Sequence, residues 1–268
     1  MRRRQLVAAA AALPGAAMAQ ATAPTPARTG RQATFVLQHG AWHGGWCWRR
    51  VADRLQALGH RVVTPTSTGL GERAHLISSM VTLEVFVTDL VNAIESQELE
   101  DIVLVGHSFG GLAISGAADR LAKRIRHLVY LDSVILQPGQ SVLGSLRPEV
   151  AAARRESIRA GGGISLPPPP ASFFGIGDPS DVAWLQRRLT PHPAGTYDSP
   201  LTLANQVGNG LPRTYIACTR DALASIEPMR QWVRQQPGWR YEEMAEVHNV
   251  MMTAPDTLTR RLLDIAGV

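Results

Sequence analysis

The chain has 268 residues, 45% of them hydrophobic and 18% charged, with two cysteines and a formal charge of +5. Such a chain buries one large core and needs no second domain. Loss of Arg2, Arg3 and Arg4 with a leader would leave about +2, and the other arginines are scattered, so no basic stripe marks a nucleic-acid or anionic-membrane partner.

The first twenty residues, "MRRRQLVAAAAALPGAAMAQ", join a positive start, a short apolar stretch and small residues at Ala17 and Ala19. That pattern predicts a secretory signal over residues 1–19, too short to span a membrane. Its Arg3-Arg4-Gln5-Leu6 resembles a twin-arginine signal, so the expected location is periplasmic or secreted. Residues 20–32 read as a flexible lead-in, and the folded domain is expected over 33–268.

The first strand-like run is Ala33 to Gln38, followed by "HGAWHGGWCW". Here His39 and Gly40 are expected to turn the chain so that the Ala41 amide faces a substrate oxygen, with Trp42 close by. A helical pattern from Trp46 to Leu58 leads to a second strand at His60 to Thr64. "TGLGERA" then fits G-x-G-x-x-A, but the strand ends several residues earlier. Asp89, twenty residues on, falls inside a helical stripe, so the context of a dinucleotide site is missing.

Leu83, Val87, Leu90 and Ile94 form that stripe at spacings of three and four. The next run, "DIVLV", is apolar throughout, as a strand covered on both faces should be. It leads into "GHSFG", where Gly106, Ser108 and Gly110 match G-x-S-x-G. In that motif the serine occupies a sharp strand-to-helix turn that only small neighbours tolerate. The small-residue segment from Gly110 to Ala122 reads as a closely packed helix, followed by a strand from Arg126 to Leu131.

Alternation then stops. Residues 133–206, including "GGGISLPPPPASFFGIGDPS", are expected as a cap insertion, because proline removes backbone donors and fixes φ. Phe173, Phe174 and Trp184 lie within it and, with Trp42, are candidates to line an apolar or aromatic cleft. Strands resume at Thr214 to Cys218 and Trp239 to Met244, with helices at Ile226 to Gln235 and Thr257 to Ala266. Strands alternating with helices predict an α/β fold: a mostly parallel sheet of about six strands, helices on both faces. Cys47 and Cys218 fall roughly 14 Å apart across three strand spacings, too far for a disulfide.

A serine nucleophile needs a base, and the base needs an orienting group. His248 follows the last strand by four residues, in a loop able to reach back over the sheet. Asp132 and Asp221 each lie just beyond the carboxyl end of a strand. Asp221 is favoured as the acid because its strand neighbours the one that delivers His248, which leaves Asp132 a structural hydrogen-bonding role. The Phe109 amide, next after the nucleophile, joins that of Ala41 as the expected oxyanion hole. No H-E-x-x-H or Cys/His cage suggests a metal, and His39 and His43 sit four apart on a glycine-broken loop. No cofactor is expected.

Together "FVLQHGAWHGGWCWRRV", "TPTSTGLGERAHL", "GHSFGG", "YIACTRDA" and "VHNVMM" resemble the α/β-hydrolases. More narrowly they resemble the branch that contains plant methylesterases, hydroxynitrile lyases and bacterial pyrethroid-hydrolase-like carboxylesterases. The resemblance covers nearly the whole chain from Phe35 and is weakest over the insertion. It implies a Ser108-Asp221-His248 triad, an oxyanion hole at Ala41 and Phe109, and neighbouring first and nucleophile strands. The expected function is a serine carboxylesterase acting on an apolar or aromatic small-molecule ester. Two alternatives are cyanohydrin cleavage on the same triad and a non-catalytic small-ligand receptor. The family's lyases carry a threonine and a lysine where this chain has Gly40 and Asn249, and a receptor has no need of all three triad residues.

Overall fold

The computed structural model describes residues 31–221 and 223–268. The expected leader and nearly all of the lead-in lie outside the described residues. In chain order the first half forms β1 (Thr34–Gln38), α1 (Arg49–Ala57), β2 (Arg61–Val63), α2 (Leu83–Glu95), β3 (Ile102–His107), α3 (Gly110–Leu121) and β4 (Ile125–Leu131). The next segment carries α4 (Val142–Ser145), α5 (Pro148–Ala160), β5 (Ser165–Leu166), α6 (Pro179–Gln186), β6 (His192–Pro193) and α7 (Gly195–Asp198). The chain closes with β7 (Arg213–Cys218), α8 (Glu227–Arg234), β8 (Trp239–Met244), α9 (Val250–Thr253) and α10 (Pro255–Ala266).

Six of these strands form one parallel sheet in the order β2-β1-β3-β4-β7-β8. This is the α/β-hydrolase architecture expected from the sequence. β1 and β3 are direct neighbours, with Leu37 opposite Val105. The order reverses there, since β2 lies on one side of β1 and β3 on the other. In such sheets ligands bind beyond the carboxyl ends of the strands at that reversal.

Burial explains why these segments became strands. Ile102, Val103, Leu104 and Val105 are wholly inaccessible, as an apolar run covered on both faces must be. On α2 the stripe of Leu83, Val87, Leu90 and Ile94 is buried, and the helix packs against α3 and α7. Truncating such a side chain, Leu90→Ala for instance, costs about 2–5 kcal/mol. The small residues of α3 have a specific partner: a Cβ on Gly116 would lie 2.4 Å from Val87 Cγ2, so α2 leaves no room for a side chain at that position.

The proline run from Pro167 to Pro170 forms no helix or strand. Around it the insertion pairs β5 and β6 antiparallel, Leu166 opposite His192, away from the main sheet. Cys47 and Cys218 are buried and free. "TGLGERA" runs into a 3₁₀ turn over Gly71–Leu76, and Asp89 accepts hydrogen bonds from the Thr68 amide and hydroxyl at 2.6 and 3.0 Å. Asp89 therefore anchors the loop that leads into that turn. Among the described residues no helix is long and apolar enough to cross a membrane.

Candidate active site

Ser108 follows the last residue of β3 and adopts φ 52°, in the left-handed region that side chains other than glycine seldom occupy. Such strain costs about 1–3 kcal/mol and persists only where the surroundings impose it. They do so here. The Ser108 amide donates to Leu131 O at 3.0 Å, and its carbonyl accepts from Val134 N at 2.9 Å and from Ser133 Oγ at 2.7 Å. The flanking glycines are required by close approach: a Cβ on Gly106 would meet Gly110 O at 2.8 Å, and one on Gly110 would meet His39 O at 2.6 Å. The turn is thus wedged between β4 and the loop after β1, and Ser108 faces a pocket at the carboxyl edge of the sheet.

His248 reaches the same pocket from the loop after β8. Its Nδ1 donates to Asp132 Oδ2 at 2.7 Å, with both side chains closed to solvent. Nε2 is the nitrogen that Asp132 does not engage. The loop is pinned from beneath, because buried His107 donates through Nε2 to His248 O at 2.9 Å.

The aspartate that orients His248 is therefore Asp132, which corrects the expectation of Asp221. Asp132 follows β4 directly at φ 43°, and its amide donates to Ile216 O at 2.7 Å. Its Oδ1 accepts from Arg230 Nη2 at 2.7 Å and from Cys218 N at 3.2 Å. Burial pushes this carboxyl up, but the bond from His248 and the Arg230 charge outweigh it and hold the group below the usual carboxylate range. Asp221 is exposed beyond β7 and lines a separate depression with Gly175, Asp178 and Arg220. Strand adjacency misled because the loop from Met244 to His248 passes over the end of β7 and delivers its imidazole to β4.

The loop after β1 reaches the same pocket. Ala41 and Phe109 both line the pocket, and among the described residues neither backbone amide has a hydrogen-bond acceptor. Three histidines brace this loop. His39 donates through Nδ1 to Gly40 O at 2.8 Å and accepts from Ser67 N at 3.1 Å. His43 donates through Nδ1 to Ala41 O at 2.7 Å and accepts from Asn249 Nδ2 at 3.0 Å. His192 accepts from Trp42 N at 3.3 Å. Burial drives His39 down to about 4 and His43 to about 3, so both are neutral braces at ordinary pH.

Of the aromatic candidates, Trp42, Phe173 and Phe174 line the pocket. Trp184 does not: α6 turns it edge-on to Trp46 at 5.2 Å, in a cleft on another face. Arg154 and Tyr197, which the sequence reading passed over, stand in the pocket wall. Nothing in the local pattern of α5 distinguishes Arg154 from its exposed neighbour Arg155. Arg230 was missed as well, although a buried cation always requires an anion. Among the described residues no cluster of three His, Cys, Asp or Glu side chains is gathered for a metal.

A family model described as the alpha/beta hydrolase family matches residues 35–261. A carbendazim hydrolyzing esterase of Nocardioides sp. (strain SG-4G) is 40% identical over 239 residues, covering 86% of this chain and 98% of its own. Methylesterase 9 of Arabidopsis thaliana is 28% identical over 87% of this chain and 97% of its own. An extracellular alpha/beta-hydrolase from a Paenibacillus species superposes with a TM-score of 0.75 at 24% identity, over 87% of this chain and 98% of its own.

Proposed function

The chain belongs to the alpha/beta hydrolase family, and on that premise we propose that it is an exported, cofactor-free serine carboxylesterase acting on an apolar or aromatic small-molecule ester. The observation that carries this reading is the His248–Asp132 pair at 2.7 Å opening, with strained Ser108, onto one pocket. The relatives named as esterases support the ester class. The leader pattern over 1–19 supports export.

In this mechanism Ser108 Oγ attacks the ester carbonyl carbon while His248 Nε2 takes the hydroxyl proton. Asp132 holds the imidazole in the tautomer with Nδ1 protonated and stabilises the imidazolium that forms. The negative charge on the carbonyl oxygen is received by the Ala41 and Phe109 amides, each worth about 3 kcal/mol in comparable sites. Collapse breaks the bond to the alcohol, which leaves with the proton from His248. Water then enters, gives a proton to His248 and attacks the acyl-enzyme, and the second collapse frees the acid and restores Ser108.

Two features weigh against cyanohydrin cleavage. A Cβ on Gly40 would lie 2.9 Å from Ser108 Cβ, so the loop has no room for a lyase-type threonine without a shift. Asn249, where those lyases have a lysine, is buried and engaged with His43.

Turnover of a small aryl ester such as 4-nitrophenyl acetate by the purified protein and by Ser108→Ala tests the reading. The wild type should turn over, and the variant should lose about 10⁶ in rate with its fold intact, as for the nucleophile of a comparable triad. Retention within tenfold would sink the mechanism, and an inactive wild type that binds ester unchanged would favour the receptor.

A further inference from the structure

Away from Ser108 and the histidines the pocket wall is largely apolar. Val134, Val142, Leu146 and Met229 line it, with Ser145 and Ser225 as neutral polar members, and no aspartate or glutamate does. Arg154, halfway along α5, brings the one arginine or lysine side chain found in this lining among the described residues: it is half-buried and lies with its guanidinium carbon 5.8 Å from the centre of the Tyr197 ring. Tyr197 packs in turn against Phe109 at 5.1 Å, the residue next to Ser108. The acids of α5 are used elsewhere, Glu149 by Arg147 and Glu156 by Arg159. Among the described residues no carboxylate pairs with Arg154, and no acceptor takes the Tyr197 hydroxyl. The charge is felt inside, where it opposes the burial that pushes the Tyr197 phenol up to about 12.

A guanidinium beside an apolar wall is poorly screened and lacks the anion that would offset its lost hydration. A carboxylate suits it best, since the planar fork accepts two parallel hydrogen bonds. We propose that the pocket selects esters carrying a carboxylate beyond the scissile bond, half-esters of aromatic dicarboxylic acids being the type, with Arg154 as counter-ion and the Tyr197 hydroxyl as second donor. This rests on the esterase reading above and narrows its substrate class. Arg154 then acts in specificity, while Ser108, His248 and Asp132 act in the chemistry.

The test compares the monomethyl esters of terephthalic and isophthalic acid with their neutral carbamoyl analogues, methyl 4- and 3-carbamoylbenzoate. For each pair the ratio of kcat/KM, carboxylate over amide, is measured at neutral pH in wild type, Arg154→Met and Arg154→Lys. For at least one isomer the ratio should fall about tenfold in Arg154→Met, with Arg154→Lys recovering part of it, and the preference should weaken with added salt. Because intrinsic reactivity cancels between proteins, a fall below threefold for both isomers overturns the inference. Calorimetric binding of the same esters to Ser108→Ala, with and without Arg154→Met, gives a readout that needs no turnover. Arg154-dependent preference for the carboxylate in binding, without turnover by wild type, would sink the esterase reading and keep the anion site. Turnover of both esters without any Arg154-dependent preference would do the reverse.

Discussion

Arg230 Nη2 lies 2.7 Å from Asp132 Oδ1 in an ion pair that solvent does not reach, the two side chains being 3% and 0% exposed. Asp132 thus has one oxygen for His248 and one for Arg230, so its carboxylate cannot rotate without breaking a buried charged contact. A buried pair of this kind adds little net stability but is costly to break from one side. The same arrangement fixes the plane of the His248 imidazole.

Exchange of each aspartate should therefore have opposite outcomes. Asp132→Asn presents the wrong imidazole tautomer and should lower ester turnover by about 10⁴, as in the best-studied triad. It also strands Arg230, so thermal stability should drop by an amount corresponding to about 3–5 kcal/mol. Adding Arg230→Met should return part of that stability and none of the turnover. Asp221→Asn, at the surface, should stay within about twofold of wild type. Kinetics and thermal unfolding on the four proteins decide it, and an inactive, well-folded Asp221→Asn would return the role to that residue.

Acid should weaken the fold earlier than carboxylate protonation alone would bring about. His39, at about 4, and His43, at about 3, are lowered chiefly by burial, as are His107 and His192. In the unfolded chain all four titrate near 6.5, so below about pH 6.5 that state binds protons the folded one refuses. Stability is then full above about pH 6.5 and falls by up to about 1.4 kcal/mol per pH unit for each histidine. Asp132, with a lowered folded value, acts in the same direction in a lower window: its contribution stands above about pH 4 and fades as the pH falls through that lowered value. Melting temperatures should fall steeply between about pH 6.5 and 5, with uptake of about four protons on unfolding near the lower end. A flat profile across that range would contradict the neutral, buried state of these rings.

The crowding around Gly40 makes it a sensitive position. A Cβ there would meet Ser108 Cβ at 2.9 Å and His107 Nδ1 at 3.1 Å. Gly40→Ala must shift the nucleophile or the Ala41 amide, and turnover should fall by about 10²–10³, the usual effect of losing one oxyanion donor. If kcat stays within threefold, the loop is softer than its three histidine braces imply.

Residues 1–19 should be absent from the mature protein. N-terminal sequencing of material from the native host should give a start near Gln20 in the extracytoplasmic fraction. A chain beginning at Met1 in the cytosol would refute export.

The sheet was legible because its signals are local. Ile102 to Val105 can only be a doubly covered strand, and Gly106 and Gly110 announce the turn between them. Chain order points to Ser108 and His248, and both line one pocket. It does not separate Asp132 from Asp221, which look alike in one dimension: which of them meets His248 depends on where a loop of four residues lands. Arg230 carried the missing clue, but pairing a cation with an anion 98 residues away requires the fold. Residue type alone puts Trp184 among the cleft candidates, whereas α6 decides which way it faces.

Asn249, His43 and Ala41 make a chain of two hydrogen bonds joining the loop around His248 to the loop after β1, residues 206 apart in sequence at its first link. The two loops are therefore tied to each other, and substitutions at Asn249 and at His43 should not combine additively. Anyone grafting loops from a relative to retune this enzyme would have to move the segment around Ala41 and the segment around His248 as a matched pair, since either one alone would arrive with half of a shared joint.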